Sequence, residues 1–171
     1  HVIRRILPVM WEAAGLIEDN DIGACENSLV TLSDDATPTL RGNRIRGGRN
    51  LGVSVDGRAT PLLEGNEIAD NANCGIVIQG PSNPTVRHNR VHDNRNFGLS
   101  IQGETTALVE DNEFARNRRV EIHVGQGASP TVRKNVVRDA TNYAISIDSQ
   151  SAGVFEDNDI RASNRAGIAI A

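Results

Sequence analysis

Glu121 and His123 stand two residues apart in the stretch RRVEIHVG. Residues i and i+2 of an extended strand share one face. At that spacing a carboxyl and an imidazole could serve as an acid/base pair or, more plainly, as a hydrogen-bonding patch for a sugar or peptide. Arg119 lies two residues earlier and adds a cation. The same polar i, i+2 spacing occurs at Ser100 and Gln102, and again at Ser146 and Asp148. Glu121, His123 and Asp148 are the candidates for proton transfer. Ser100, Gln102, Arg119, Glu121, His123, Ser146 and Asp148 together are the candidates for ligand binding. The competing explanation is repeat drift that leaves these groups merely solvated. No Ser-His-Asp set, phosphate-binding loop or Cys/His metal spacing is present, so neither a cofactor nor a metal is expected.

Whether those residues meet depends on a repeat that runs through the chain. Asn20, Asn43, Asn66, Asn89, Asn112, Asn135 and Asn158 follow one another at intervals of 23 residues. Strict register of this kind is the signature of a repeat architecture. Three residues before each Asn an apolar side chain recurs, from Ile17 to Phe155, and two after it another, from Ile22 to Ile160. A further pair, such as Val53/Val55 or Ile145/Ile147, follows ten and twelve residues after the Asn. Spacing of two with β-branched residues predicts short strands, and no stretch carries a helical period. Stacking the copies pairs each strand with its equivalent in the next, giving a parallel β solenoid of about seven coils. Leu7 and Val9 obey the register of Val30 and Leu32, which extends the solenoid toward the first residues.

A leucine-rich repeat has a similar period but wants Leu five residues before the Asn. Here that place holds Gly15, Pro38, Pro61, Pro84, Ala107, Pro130 and Gly153. The stretch GIVIQGPSNPTVRHNRVHDNRNFGLSIQG instead resembles the right-handed parallel β-helix repeats of the pectate-lyase-like superfamily. Within it, the closer likeness is to the carbohydrate-binding and sugar hydrolysis branch that includes the periplasmic NosD-type proteins. The likeness covers roughly residues 5 to 171 and implies an all-β, right-handed parallel β-helix forming a single domain over 1–171. It also implies that the outward face of the second strand is where a sugar would lie.

The Asn row is expected to be a structural ladder, each side chain turned into a bend and bonded to the coils on either side. Two residues before it the charge alternates: Glu18, Arg41, Glu64, Arg87, Glu110, Arg133, Glu156. Neighbouring coils lie about 5 Å apart, so these groups should form ion pairs that pin the register. A second row seven after the ladder holds Asn27, Asn50, Asn73, Asn96 and Asn142, and reads as turn chemistry.

Catalytic β-helices of this resemblance build their clefts from long insertions, and their lyases add a calcium-binding carboxylate cluster. A constant interval leaves no room for either, and the scarce aromatics (Trp11, Phe97, Phe114, Tyr143, Phe155) give no evident stacking platform. The expected function is therefore a repeat-built domain recognising a glycan or protein partner without strong catalysis. The alternatives are a polysaccharide lyase, hydrolase or epimerase, and then a pure scaffold. A net charge of −4 gives no basic field for nucleic acid, and no stretch is long and apolar enough for membrane insertion. Cys25 and Cys74 sit too far apart in the repeat to pair, which favours a cytoplasmic setting, with an extracytoplasmic one open if a signal peptide has been removed. The chain starts and stops in mid-coil. It is expected to be a segment of a longer protein, or to cover its ends by end-to-end or edge association.

Overall fold

A computed structural model of the chain describes residues 13–171, together with two N-terminal strands, Val2–Ile3 and Leu7–Val9. Trp11 lies outside the described residues. Each coil contributes one strand to each of three parallel sheets. The first sheet carries the strands just before the ladder Asn (Thr39–Arg41, for example), the second those just after it (Arg44–Arg46), and the third those near its end (Val53–Val55). Every pairing joins residues 23 apart from neighbouring coils except at the first strand of the second sheet, where Val2–Ile3 meets Asp21 and Ile22. Leu7 and Val9 pair with Val30 and Leu32, in the register their spacing predicts. Inward positions stack like on like: Leu40, Leu63, Val86 and Val109 form one fully buried column, and Ile45, Ile68, Val91 and Phe114 another.

The ladder is continuous over all its members. Asn66 donates its backbone N–H and its amide to Asn89 Oδ1, both at 2.9 Å, and Asn89 does the same to Asn112 at 2.9 and 3.0 Å. From Asn43 to Asn158 each side chain also returns a bond to a main-chain carbonyl of the coil before, as Asn89 does to Leu63 at 2.8 Å. These bonds satisfy amides that are almost wholly shut away from water. The left-handed residue of the bend is not the Asn but the one before it, with φ of 54° at His88, Asp111 and Lys134 and 64° at Gly65.

On the first sheet the alternating charges pair across coils. Arg41 reaches Glu64 at 2.9 Å and Glu18 at 3.5 Å, Arg87 reaches Glu64 at 2.7 Å, and Arg133 reaches Glu110 at 2.8 Å. The hydrogen bond from Arg41, with help from Arg87, holds the Glu64 carboxyl below its usual range. A slip by one coil would set like charge against like, so the row specifies register as well as adding a modest stability.

The third sheet departs from uniformity in one place. Its strands are three residues long in most coils but lengthen to six at Phe97–Gln102 and Val120–Gly125 and to five at Tyr143–Ile147. Within the first of them Gly98 packs closely against the next coil: a Cβ there would fall 2.6 Å from both Glu121 O and Asn117 Nδ2.

Candidate functional site

The lengthened strands form one wall of a cleft of about 420 Å³. Val120–Gly125 supplies His123 on its outward face, and Tyr143–Ile147 supplies Ser146 directly opposite it in register. His123 Nδ1 lies 2.9 Å from Ser146 Oγ, and Nε2 is 3.7 Å from Asp148 Oδ2. The imidazole stacks on Phe97, ring centres 4.8 Å apart and planes 13° from parallel. Burial pushes the His123 pKa down. Asp148 opposes that shift and Arg119 adds to it, so the ring is neutral at neutral pH. Gly125 stands where neighbouring coils carry Gln102 and Asp148. A Cβ there would come within 3.1 Å of His123 Nε2 and 3.3 Å of Asp148 Oδ2. The missing side chain is what lets those two groups face each other.

Four of the residues singled out in the sequence, Arg119, His123, Ser146 and Asp148, therefore line one cleft. The other three do not. Ser100 is 2% exposed and accepts a hydrogen bond from Gln102 Nε2 at 3.1 Å, outside the cleft lining. Glu121 does not project beside His123 at all. It is completely buried, its carboxylate accepting from the Asn117 backbone N–H at 3.0 Å and from the Asn117 amide. The i, i+2 rule fails for it because the pairing of Val120–Gly125 with both neighbouring strands skips residue 121, a place other coils fill with Gly52, Gly75 or Gly98 against the packed interior.

Two residues missed in the sequence complete the cleft. Phe97 and Tyr143 occupy the same place in coils two apart, and each carries an arginine 22 residues further on. Arg119 lies over the Phe97 ring at 5.2 Å and Arg165 over Tyr143 at 5.9 Å. The repetition of an aromatic–arginine pair is a signal that the scarcity of aromatics in the sequence hides. Arg95 and Arg118 lie on the same bend. Among the described residues, these four arginines have no carboxylate within ion-pair distance, whereas Arg49 on the same bend meets Glu26, Arg116 at the start of the bend meets Asp93, and those of the sheet faces, such as Arg41, Arg90 and Arg138, are all paired.

A larger concavity, about 470 Å³, lies at the ladder bend between His88, Arg90, Asp111, Glu113, Lys134 and Val136. It mixes both signs of charge and has no aromatic wall, so the smaller cleft has the better-defined chemistry. Among the described residues no group of His, Cys, Asp and Glu is gathered as a metal site would need. None of their helices is long and apolar enough to cross a membrane. Cys74 is a buried thiol whose pKa burial raises, and Cys25 is buried with its thiol toward Gly23 O.

The family model described as right handed beta helix region matches residues 28–171. No curated protein matches the sequence. Among solved structures, the chain is similar to the periplasmic alginate epimerase AlgG, with a TM-score of 0.76 at 17% identity, over 84% of this chain and 39% of that one. It is also similar to the A-module of the Azotobacter vinelandii mannuronan C-5 epimerase AlgE6, with a TM-score of 0.71 at 15% identity, over 99% of this chain and 56% of that one. The chain thus spans about half or less of the enzymes it resembles, and at these identities the likeness is one of fold. With its parallel sheets and continuous ladder, the chain belongs to the right-handed β-helix family.

Proposed function

We propose that the cleft of Phe97, Arg119, His123, Tyr143, Ser146 and Asp148 binds an acidic polysaccharide along the solenoid axis, outside the cytoplasm, and that binding rather than turnover is its main role. The observation that carries this reading is the contrast in charge pairing. In a protein whose sheet-face arginines are neutralised by neighbouring coils, Arg95, Arg118, Arg119 and Arg165 stay unpaired on one bend, two of them lying over aromatic rings at the cleft. The two aromatic–arginine units are two coils apart, roughly 10 Å, close to the length of a disaccharide. An aromatic face with a guanidinium beside it suits a sugar ring bearing a carboxylate. A protein partner would not call for a ring-sized step of this kind. The acidic-sugar class and the extracytoplasmic setting draw support from AlgG, named a periplasmic alginate epimerase.

Calorimetric titration with an oligomannuronate and with a neutral cello-oligosaccharide tests the reading. The acidic ligand should bind, weakening as salt is added, and Arg119→Ala with Arg165→Ala should lower affinity at least about tenfold. Equal binding of the neutral oligosaccharide, or none of the acidic one, overturns it. Epimerisation is the second reading, favoured by the neutral His123 held by Ser146 beside Asp148. Proton NMR of the oligomannuronate after incubation would reveal guluronate formation, and its loss in His123→Asn would make turnover the main role.

A further inference from the structure

Five residues after the ladder Asn, a second and wholly internal amide row runs through Asn71, Asn94 and Asn117, all fully buried. Gly48 N–H donates to Asn71 Oδ1 at 3.0 Å, Asn71 N–H to Asn94 Oδ1 at 3.1 Å, and Asn94 N–H to Asn117 Oδ1 at 3.1 Å. The next place in the row is residue 140, an alanine. Without a substitute, the Asn117 backbone N–H and one amide hydrogen would face an interior with no acceptor, the amide keeping only its bond to Val91 O at 3.1 Å. Glu121 is that substitute. Its two carboxylate oxygens take the bonds that an Asn at 140 would have taken. The space is available because Ala140 and Ala144 in the next coil are both small and buried.

This makes the last link of the row titratable, where every earlier link is an amide. The charged groups acting on Glu121 are Arg116, beside Asn117 on its own bend, and Asp139, beside Ala140 on the next coil. Asn94 and Gly98 from the coil before, and Ala140 and Ala144 from the coil after, bring no charge, while Arg119 and His123 flank it in sequence toward the cleft. Burial dominates and pushes the Glu121 pKa up to about 7. The Asn117 donors and Arg116 pull the other way, and Asp139 adds to the rise.

Resting on the reading of the cleft as an acidic-glycan site, we propose that Glu121 is a pH-sensitive latch. While protonated it is a neutral group that stays packed at the end of the inner amide row and holds the 116–120 bend, with Arg119, against the core. Once ionised it leaves a buried anion that is relieved by loosening that bend, so the cleft grips its ligand less well in alkaline solution than in mild acid. An unfolded Glu titrates near 4.3. The folded state therefore holds the proton more tightly between that value and about 7. Its stabilising effect is complete below the lower value, declines as pH rises through the upper one, and is flat beyond. The unfolding constant should rise on the order of a hundredfold across this window from Glu121 alone.

Melting curves of the wild type and of Glu121→Gln between pH 5 and 8.5, at about half-unit steps, provide the first test, with hydrogen exchange of residues 116–120 measured by mass spectrometry over the same range. A second variant, Glu121→Gly with Ala140→Asn, restores the amide row of the earlier coils and keeps the test decisive if glutamine impairs folding. The wild type should lose stability and exchange protection at 116–120 as pH rises, and the restored-row variant should not. Its affinity for oligomannuronate should fall several-fold more than the variant's, His123 being common to both. Parallel pH profiles for wild type and variants overturn the latch. So does a melting difference with no change in exchange at 116–120, which would make Glu121 a structural plug only. Absence of oligomannuronate binding at every pH overturns the glycan reading instead, and the melting and exchange data still decide on the latch.

Discussion

The same repeat turns two very different corners. At the ladder bend all seven coils place an Asn whose bonds to the next coil vary only between 2.9 and 3.1 Å, and the charges beside it are largely paired. At the bend leading into the third sheet, the inner row starts at Gly48, runs through three amides and closes on a carboxylate. Its rim carries unpaired arginines over two rings. One bend commits its side chains to stacking coils, and the other leaves several of its arginines without a carboxylate partner among the described residues. In a repeat protein, departure from the repeat is thus a better guide to function than the repeat itself.

The sharpest way to break this comparison is at the ladder. Asn112→Ala removes the acceptor for the Asn89 backbone N–H and amide and the donor to Val86 O at 2.8 Å. Orphaning buried groups of this kind costs roughly 3 kcal/mol or more in total. Denaturant unfolding should show that loss, while oligomannuronate affinity of the folded fraction stays as it was. A variant equally stable but unable to bind would mean the ladder belongs to the site. Reversing a charge on the first sheet is a milder disturbance. Arg87→Glu would stand in register between Glu64 and Glu110, replacing an attraction at 2.7 Å by repulsion on both sides. A loss of about 1 kcal/mol is expected, read as a lowered melting temperature that added salt partly restores. Loss of ligand without loss of stability would turn the row into a binding surface.

The pH dependence runs in opposite directions for two groups on the bend leading into the third sheet, in neighbouring coils. Asp93 is held at a pKa of about 2, chiefly by its hydrogen bond from Arg116 and despite partial burial. Its contribution, screened by water, is present above about 3.9 and lost as pH falls through the folded value. Glu121 acts in the opposite direction at higher pH. Taking these two groups together, stability should peak in mild acid.

The solenoid was legible because stacking repeats the same physical demand every 23 residues. Seven independent copies of Asn20's environment leave little choice of period, strand or register, and the ion-pair row follows from the coil spacing. The site was only half legible. His123, Ser146 and Asp148 come together because period two holds inside a strand. The rule fails where the strand pairing skips a residue, as it does at Glu121, which turns inward instead. Phe97 and Tyr143 were overlooked because they recur every second coil rather than every coil. The inner row of Asn71, Asn94 and Asn117 was overlooked because it occupies only three coils. Features confined to part of a repeat are hard to tell from drift until their bonds are seen.

The smallest effect expected is also the one that most directly tests whether the larger concavity at the ladder bend is only a gap in the pattern. One residue after the ladder Asn the charges run Asp21, Arg44, Glu67, Arg90, Glu113, then break at Val136 before Asp159. Val136 pairs in register with Glu113 on one side and Asp159 on the other, and is 37% exposed. It presents an apolar surface where a cation would neutralise two carboxylates, and its short side chain leaves that wall of the concavity open. The loss is already partly made good. Arg138 reaches Glu113 at 2.5 Å, and Arg161 bonds Asp159 within its own strand. Val136→Arg should therefore stabilise the fold by only about 0.5 kcal/mol, since exposed pairs contribute little and the partners are not free. The gain should appear as a small rise in the denaturant midpoint that disappears at high salt, with oligomannuronate affinity unchanged. A drop in affinity on filling this concavity would move the ligand to the ladder bend and reverse the roles assigned to the two corners.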